Sequence, residues 1–292
     1  MTVQLSGVLS ALATPFSADG AVDVARLRAV VDRNLEGGVH GVVACGSTGE
    51  FAALSNAERR LVVETVIEHT AGRVPVVAQT GAVSTAEAIE LSRHAAAAGA
   101  DVLMLVTPYY EALTARETAQ YLKRVAGSVD IPIMLYNLPA ATGFKLEPEF
   151  VGALAREVDN IRYIKDTTAD LVQAGRLIHN HGDVISTFVG WDSLMLAALI
   201  EGAAGVMCGT ANALAPQLVS VYNAIAAADL ARAQAEWSRL FPVMDAIMSA
   251  PFIAAVKVAM QAVGFDAGVP REPFLDLDAT ARANIFALAA KL

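Results

Sequence analysis

Eight short apolar segments recur along this chain, with helix-forming stretches between them. Segments that are apolar on both faces are typical of buried parallel strands, and strict alternation with helices favours a parallel sheet with helical crossovers. Eight such units in roughly 210 residues predict a closed (β/α)8 TIM barrel. An open doubly wound sheet is the alternative, but no G-x-G-x-x-G follows the first strand. The predicted strands span Gly7–Ala13, Gly41–Cys45, Val74–Gln79, Asp101–Val106, Ile131–Tyr136, Ile161–Lys165, Val184–Val189 and Gly205–Gly209.

The segments between the strands carry helix start signals. Ser55-Asn56-Ala57-Glu58 and Ser84-Thr85-Ala86-Glu87 both fit the capping-box pattern, in which a hydroxyl and a Glu three residues later exchange hydrogen bonds with the backbone. The predicted helices include Val24–Leu35, Asn56–His69, Thr85–Ala98 and Glu117–Ala126.

The last part of the chain has helical patterns without further strands. We therefore assign residues 1–214 to the barrel and residues 215–292 to a C-terminal helical extension packed on it. The predicted elements of this extension are helices at Pro216–Ala226, Ala231–Ser249, Pro251–Val263 and Ala279–Lys291, with a loop at Gly264–Pro273.

Composition narrows the function classes. The chain is 55% hydrophobic, and its net charge of −9 argues against nucleic acid or an anionic membrane as a partner. No apolar run reaches the length of a membrane span, and no signal sequence opens the chain. We expect a cytoplasmic protein. Cys45 and Cys208 provide no disulfide framework.

Lys165 is the leading candidate for catalysis, because it ends a predicted buried strand. Burial disfavours the charged form of an amine and lowers its pKa, and a neutral amine can form a Schiff base with a carbonyl. The alternative is a lysine that extends to solvent from a strand end. The other four lysines, including Lys257, lie in helix or loop patterns.

A barrel places its active site where the strands end, and two other strand ends are suggestive. Tyr136 ends the strand before Lys165, and neighbouring strands lie about 5 Å apart, so its phenol could move protons for the amine. Ser47 and Thr48, within Gly46-Ser47-Thr48-Gly49-Glu50, could hold a carboxylate with hydroxyl and backbone donors. An ordinary tight turn is the alternative for this second segment.

Metal and thiol chemistry are the rival classes. Only His179-Asn180-His181 has the spacing of metal ligands, and it lies before the seventh strand, at the wrong end of the barrel. Cys45 has no partner histidine in its sequence neighbourhood. We therefore expect no metal and no cofactor.

Several motifs in order resemble the dihydrodipicolinate synthase / N-acetylneuraminate lyase family of class I pyruvate-dependent aldolases. The resemblance covers essentially the whole chain. The matching segments are Gly46-Ser47-Thr48-Gly49-Glu50, Pro108-Tyr109-Tyr110, Tyr136-Asn137-Leu138-Pro139, Lys165-Asp166-Thr167, Gly190-Trp191-Asp192, Thr210-Ala211-Asn212 and the tail from Val256-Lys257 to Arg271-Glu272-Pro273.

The resemblance implies a role for individual residues. Lys165 would form the Schiff base with pyruvate or another 2-keto acid, and Tyr136 would shuttle protons. Ser47 and Thr48 would hold the keto-acid carboxylate. Tyr110 would be a catalytic residue that enters the site of a neighbouring subunit and completes the proton relay at the Ser47 position. The resemblance also implies a homotetramer built as a dimer of dimers.

Substrate identity depends on departures from subfamily patterns. Lysine-pathway synthases usually carry an arginine where this chain has Ala141, and an alanine cannot bind a carboxylate by a bidentate fork. Sialic acid lyases usually carry a glutamate where this chain has Ser193. The pattern is more similar to 2-keto-3-deoxy sugar acid aldolases, which would place Thr167, Asp192 and Ser193 on substrate hydroxyls.

The same comparison places two further residues at the substrate. Gly190 belongs to the matching Gly190-x-Asp192 motif, and Met207 matches a position whose backbone lies against pyruvate. We expect a Schiff-base lyase that cleaves or dehydrates a 2-keto-3-deoxy sugar acid or a related 4-hydroxy-2-oxo acid to pyruvate and an aldehyde. The alternatives are dihydrodipicolinate synthesis, sialic acid cleavage and a non-catalytic keto-acid-binding barrel.

Overall fold

A computed structural model describes residues 4–292. Within them, eight parallel strands close into a barrel in sequential order, with β1 pairing to both β2 and β8. The predicted (β/α)8 architecture is confirmed. The strands are β1 (Gly7–Ala11), β2 (Gly41–Ala44), β3 (Val76–Gln79), β4 (Val102–Val106), β5 (Ile133–Asn137), β6 (Ile161–Asp166), β7 (Ser186–Val189) and β8 (Gly205–Cys208).

The strand cores match the sequence prediction, whereas several strand starts do not. β3 and β5 each begin two residues later than predicted, directly after Pro75 and Pro132. Proline has no N–H to donate to the ladder, so regular pairing begins beyond it. Nearly every strand residue is buried, because one face lines the barrel interior and the other packs under the helices.

The helices between the strands follow the predicted pattern. One capping box was not predicted, and another predicted box forms only in part. Thr114 and Glu117 form a capping box that the sequence prediction omitted, so that helix starts at Ala115 rather than Glu117. At Ser84 only half of the predicted box forms, because the Glu87 carboxylate accepts from Asn56 Nδ2 at 2.9 Å.

The helix bounds are as follows. They are α1 (Val24–Glu36), α2 (Asn56–Thr70), α3 (Thr85–Ala98), α4 (Ala115–Ala126), α5 (Pro139–Thr142), α6 (Pro148–Glu157), α7 (Leu171–His181), α8 (Met195–Glu201), α9 (Ala211–Ala226), α10 (Leu230–Met248), α11 (Phe252–Ala262) and α12 (Ala279–Ala289).

The C-terminal extension starts inside a helix rather than at a linker. α9 has non-helical backbone at Leu214 (φ −122°, ψ 21°) and contains Pro216, which cannot donate an intrahelical hydrogen bond. Seven of the eleven residues of α11 are buried, and its Lys257 contacts Glu50 in the loop after β2. Among residues 4–292, no helix is both long and apolar enough to cross a bilayer.

Candidate active site

Lys165 and Tyr136 face each other at adjacent strand ends. The two residues are in register in the β5–β6 pair, and Lys165 Nζ lies 4.2 Å from the centroid of the Tyr136 ring. Only 5% of Lys165 is exposed, and Tyr136 is buried as well. Within residues 4–292 no carboxylate lies within 4.0 Å of this amine, so it has a π face rather than an ion-pair partner.

Ser47 connects this pair to the loop after β2. Its Oγ lies 3.2 Å from the Tyr136 hydroxyl, which is hydrogen-bonding distance. Ser47 is half-buried and Thr48 is buried. The structure therefore brings the phenol, the amine and one hydroxyl of the predicted carboxylate site together.

The loop that presents Ser47 and Thr48 has a constrained backbone. Cys45 (φ 57°) and Glu50 (φ 58°) bracket it, and both adopt the left-handed conformation that costs energy for residues other than glycine. At Gly49, a Cβ would lie 2.9 Å from the Leu12 carbonyl oxygen, and the Thr14 hydroxyl donates to the Gly49 carbonyl at 2.8 Å. The surrounding contacts thus fix the loop geometry.

A buried ion pair lies behind this loop, and sequence reasoning missed it. Lys257 Nζ of α11 lies 2.6 Å from Glu50 Oε1 and donates to the Val269 carbonyl at 2.9 Å. The Arg271 N–H donates to Glu50 Oε2 at 2.8 Å. Burial lowers the pKa of Lys257, against the opposing effect of Glu50. A lone lysine in the apolar helix α11 was the available signal.

Arg271 extends the network to the start of α2. Its guanidinium binds the Glu58 carboxylate through both nitrogens, at 3.0 and 2.7 Å, and also donates to the Ala53 carbonyl at 2.8 Å. The hydrogen bonds from Arg271 lower the pKa of Glu58 to about 2. Through Arg271 the C-terminal extension therefore contacts both Glu50, at the end of the loop after β2, and Glu58, in the first turn of α2.

Thr167 and Gly190 lie directly beside Lys165. A Cβ at Gly190 would overlap both Thr167 Oγ1 and Lys165 Cε, so the absence of a side chain there makes room for the lysine. The Thr167 hydroxyl is buried and has no hydrogen-bond partner among the described residues. A buried hydroxyl without a partner is costly, and a bound ligand could satisfy it.

Asp192 is committed to the protein rather than open to solvent. Its Oδ2 accepts from the Thr210 N–H at 2.8 Å and from the Thr210 hydroxyl at 2.7 Å. Burial raises the pKa of this carboxyl. Ser193 follows in a short 3-10 helix and is half-buried, while Met207 is buried within β8.

Asp166 has its own set of polar partners. Asn137 Nδ2 donates to it at 2.8 Å, Gln173 Nε2 at 3.2 Å and the Thr168 hydroxyl at 2.9 Å. Burial outweighs these bonds and raises its pKa to about 6. Its role in the fold is to tie the ends of β5 and β6 together, next to the catalytic candidates.

Residues 4–291 match the sequence profile of the dihydrodipicolinate synthetase family. The chain belongs to this family. It is 40% identical to the 4-hydroxy-tetrahydrodipicolinate synthase of Methanothrix thermoacetophila, over 98% of this chain and 96% of that protein. It is 36% identical to an uncharacterized DapA-like lyase of Halobacterium salinarum, over 99% and 94% of the two chains.

A solved structure extends the match to three dimensions. YagE, a prophage protein of the dihydrodipicolinic acid synthase family from E. coli K12 in complex with pyruvate, superposes with a TM-score of 0.94 at 31% identity over 99% of each chain. The family resemblance noted in the sequence is confirmed. The chain is accordingly an enzyme of the class I lyase and synthase type, whose members act through pyruvate.

Tyr110 is far more exposed to solvent than the other candidate site residues. It is 82% exposed, whereas the remaining candidates are buried or half-buried. It follows Tyr109, whose ring packs edge-on against Phe51 with centroids 5.6 Å apart. Within a single chain, Tyr110 is therefore oriented to solvent rather than packed into the core.

The rival chemistries have little geometric support among residues 4–292. Burial raises the pKa of the Cys45 thiol to about 12, which suppresses the nucleophilic thiolate. His179 contacts Glu201 at 2.9 Å, whereas His181 contacts Arg156 at 3.3 Å. No group of three or more potential metal ligands is present in this part of the chain.

An apolar cavity of about 290 Å³ opens beside the loop that follows β2. Ser47 lies on its border and is the same side chain that contacts Tyr136. The other residues that line it are Glu50, Phe51, Ala52, Val106, Tyr109, Leu138, Ala141, Ile253 and Phe274.

Proposed function

We propose that this chain is a Schiff-base lyase that cleaves a 4-hydroxy-2-oxo acid to pyruvate and an aldehyde. The observation that carries the proposal is the row formed by Lys165, Tyr136 and Ser47, in which a buried amine, a phenol and a hydroxyl lie in contact. 2-Keto-3-deoxy sugar acids are one class of such substrates, and dehydration of the same substrates is the alternative outcome.

The chemistry follows from the position of the amine. Lys165 attacks the C2 carbonyl and, after loss of water, forms an iminium ion. The C3–C4 bond then breaks, its electron pair forms the C2=C3 bond while the C=N pair moves to nitrogen, and the C4 hydroxyl loses its proton to leave an aldehyde. The resulting enamine takes a proton at C3, and hydrolysis of the imine releases pyruvate and restores Lys165.

The neighbouring residues suit the remaining requirements of this reaction. The Tyr136 hydroxyl, in contact with Ser47 at 3.2 Å, is placed to move the protons of imine formation and C4 deprotonation. We propose that Ser47 and Thr48 hold the substrate carboxylate and that Thr167, with its unpaired buried hydroxyl, contacts a substrate oxygen. Gly190 and Met207 are proposed to border the same site.

Condensation of pyruvate with aspartate semialdehyde is the second candidate. It is favoured by the name of the Methanothrix relative at 40% identity. Against it stands Ala141, which lies in an apolar wall and offers no cation for a second carboxylate. Turnover of pyruvate with aspartate semialdehyde would support this candidate, and its absence with a functional Lys165 would remove it.

Covalent trapping tests the proposal. The protein is incubated with pyruvate and borohydride, digested, and analysed by mass spectrometry, with Lys257 as the internal control for a second buried lysine. We expect a reduced pyruvate adduct on Lys165 and none on Lys257. If Lys165 stays unmodified, the Schiff-base mechanism is wrong. Pyruvate release from a panel of 4-hydroxy-2-oxo acids then separates cleavage from dehydration, which releases none.

We also propose that the enzyme assembles as a homotetramer, a dimer of dimers, in which Tyr110 enters the neighbouring subunit's site. The 82% exposure of Tyr110 supports this arrangement, because an exposed aromatic side chain is available for a subunit contact. Analytical ultracentrifugation of the wild type and of Tyr110→Ala tests it. A monomeric wild type with full activity would contradict it.

A further inference from the structure

We propose that Asp166 is a positioning residue, which through Asn137 holds the Tyr136 phenol in place for proton transfer. The inference rests on the roles proposed above for Lys165 and Tyr136. It adds to them a carboxylate that lies on the helix side of the same two strands, where it contacts α7. Asp166 therefore acts through the strand ends and not on the substrate.

The first step is the register of the two strand ends. Tyr136 pairs with Lys165, and the residues that follow them, Asn137 and Asp166, pair with each other. Successive residues of a strand point to opposite faces. The Lys165 amine faces the Tyr136 ring, and on the other face Asp166 contacts Gln173 of α7. The two pairs share their peptide units, so a shift of the rear pair moves the reacting pair as well.

The second step is the set of hydrogen bonds that fixes the Asn137 amide. Its Nδ2 donates to Asp166 Oδ1 at 2.8 Å and to the Leu146 carbonyl at 3.2 Å, and its Oδ1 accepts from the Leu146 N–H at 3.0 Å. Gln173 Nε2 reaches the same two acceptors, each at 3.2 Å. All four residues are buried. The carboxylate thus fixes Asn137, and the Leu146 bonds close the segment 138–145 at its base.

The third step is the unfavourable burial of a charge at this position. Within residues 4–292 no cation lies within 4.0 Å of the Asp166 carboxylate, and its side-chain partners are neutral donors. A buried carboxylate without a counter-ion destabilises the fold, and a neutral side chain could join two strands at lower cost. What the charge adds is a shorter and stronger hydrogen bond to the Asn137 amide. The residue that follows Tyr136 is therefore held more rigidly than a neutral pair would hold it.

The fourth step is the consequence for the reaction. The Tyr136 hydroxyl lies 3.2 Å from Ser47 Oγ, so a small shift of the end of β5 breaks this contact. After Lys165 has added to the C2 carbonyl, the phenol gives a proton to the carbinolamine hydroxyl. The nitrogen lone pair then forms the C=N bond as the C2–O bond breaks and water leaves. A displaced phenol slows this step, whereas the amine and the binding of pyruvate are unchanged.

A double-mutant cycle with Tyr136→Phe tests whether Asp166 acts through the phenol. The rate of imine formation with pyruvate is measured by rapid quenching with borohydride at pH 8, where Asp166, with a pKa of about 6, is ionised. We expect Asp166→Asn alone to lower this rate about tenfold, less than the roughly 10²-fold cost of a displacement of about 1 Å. The pyruvate concentration for half-maximal rate should not change. In the Tyr136→Phe background Asp166→Asn should have no further effect, because no phenol is left to position. Equal losses in both backgrounds overturn the inference.

Asp101→Asn is the matched control, because Asp101 is also a carboxylate that joins two neighbouring strands. Its Oδ2 accepts from the Val76 N–H at 2.8 Å, at the starts of β3 and β4 and therefore at the opposite end of the barrel from Lys165. Imine formation in this variant should match that of the wild type. A loss as large as that of Asp166→Asn overturns the inference, since any carboxylate between two strands would then have the same effect.

A second variant tests the same connection from the other strand. Asp166→Asn should fold, because it removes a buried charge that has no ion-pair partner. Asn137→Ser leaves the carboxylate in place but is too short to reach it, so imine formation should slow at least as much as in Asp166→Asn. This loss should also disappear in the Tyr136→Phe background. A folded Asn137→Ser protein with the wild-type rate overturns the inference, because Asn137 is the link that it requires.

Trapping in the wild type separates this inference from the proposed function. If pyruvate forms no adduct on Lys165, the proposed function is wrong and the inference falls with it. If wild type and Tyr136→Phe form the adduct equally fast, the phenol has no role and Asp166 has nothing to position. A wild type that traps pyruvate faster than Tyr136→Phe, with losses from Asp166→Asn that are equal in both, overturns the inference alone.

Discussion

Two buried lysines of this barrel have opposite surroundings. Lys257 is 1% exposed and is held by the Glu50 carboxylate at 2.6 Å and by a backbone carbonyl at 2.9 Å. Lys165 is 5% exposed, and its amine lies over the Tyr136 ring without an ion-pair partner in residues 4–292. Burial alone therefore does not distinguish a structural lysine from the one that we propose to be catalytic.

What distinguishes them is whether the amine is already bound by a counter-charge. The Glu50 carboxylate and the Val269 carbonyl both bind the Lys257 amine, so its protons are engaged within the protein and the amine is not free to attack a carbonyl. The charge of Lys165 acts on the Asp192 carboxyl, but that carboxyl is hydrogen-bonded to Thr210. Within residues 4–292 no carboxylate binds the Lys165 amine, which leaves it available for the Schiff-base role that we propose.

The largest expected effect is that of Lys165→Met. Without the amine no iminium ion forms, and activity should fall on the order of 10⁵-fold, comparable to the loss of a catalytic nucleophile. Stability should stay equal or rise, because an apolar side chain replaces a buried charge that has no ion-pair partner. Pyruvate release and urea unfolding measure the two effects. A large loss of stability would show that Lys165 is structural after all.

The next largest effect is on stability, and it comes from Lys257→Met. Removal of the cation leaves the buried Glu50 carboxylate without its main partner, which should cost about 3–5 kcal/mol of unfolding free energy. The double variant Glu50→Gln/Lys257→Met should recover part of the loss, because the unpaired charge is gone. Urea denaturation measures this, and borohydride trapping on Lys165 should persist in the folded single variant.

Lys291→Met is the matched control for this prediction, because Lys291 is exposed near the end of the chain. Its unfolding free energy should stay within about 0.5 kcal/mol of the wild type. A Lys257→Met protein as stable as the Lys291 variant would remove the distinction between the two buried lysines.

The sequence predicts one of these lysines and not the other for a physical reason. Lys165 ends a short β-branched segment, and strand ends in a barrel converge on one mouth, so local pattern and topology agree. Lys257 lies in a helical pattern, where a lysine usually reaches solvent. Its burial depends on Glu50 and Arg271, which are over 200 and 14 positions away in the chain.

Features that depend on local sequence pattern were predicted elsewhere in the fold as well, whereas features that depend on distant contacts were not. The strand order and core follow from the apolar pattern, because a buried parallel strand has apolar residues on both faces. The starts of β3 and β5, which directly follow Pro75 and Pro132, each differ by two residues from the prediction. The start of α4, which Thr114 caps, differs from its prediction by two residues as well. The cavity lined by Ala141 and Phe274 joins segments far apart in sequence, so its apolar character could be known only from the fold.

A smaller effect concerns a buried carboxylate next to Lys165. The pKa of Asp166 is raised to about 6, so its contribution to stability is fully present below about pH 4 and is lost as the pH rises through about 6. The loss should amount to about 2–3 kcal/mol, since one pKa unit corresponds to about 1.4 kcal/mol. Asp166→Asn should lack this slope. Urea unfolding at several pH values from 4 to 7 compares the two proteins.

Only the pH dependence is diagnostic in that experiment, because Asn also changes the hydrogen bonds with Asn137, Gln173 and Thr168 by a constant amount. Parallel curves for wild type and Asp166→Asn would contradict the raised pKa. A wild type that gained stability relative to Asp166→Asn as the pH rose from 4 to 7 would contradict it too.

The smallest effect on stability comes from the Arg271–Glu58 pair, the partly solvated part of the network around Lys257. Arg271 holds the pKa of Glu58 at about 2, so this carboxylate contributes stability above about pH 4.5 that is lost as the pH falls through about 2. The pair is partly solvated, so Glu58→Gln should cost only about 1 kcal/mol at pH 7. In urea unfolding its cost should shrink as the pH falls from about 4.5 to about 2, and also in high salt. Glu236→Gln, which breaks an exposed pair with Arg232 inside α10, is the control and should cost less. If Glu58→Gln instead costs as much unfolding free energy as Lys257→Met, the buried Lys257–Glu50 pair and the partly solvated Arg271–Glu58 pair act as one unit. The distinction drawn between the two pairs is then wrong.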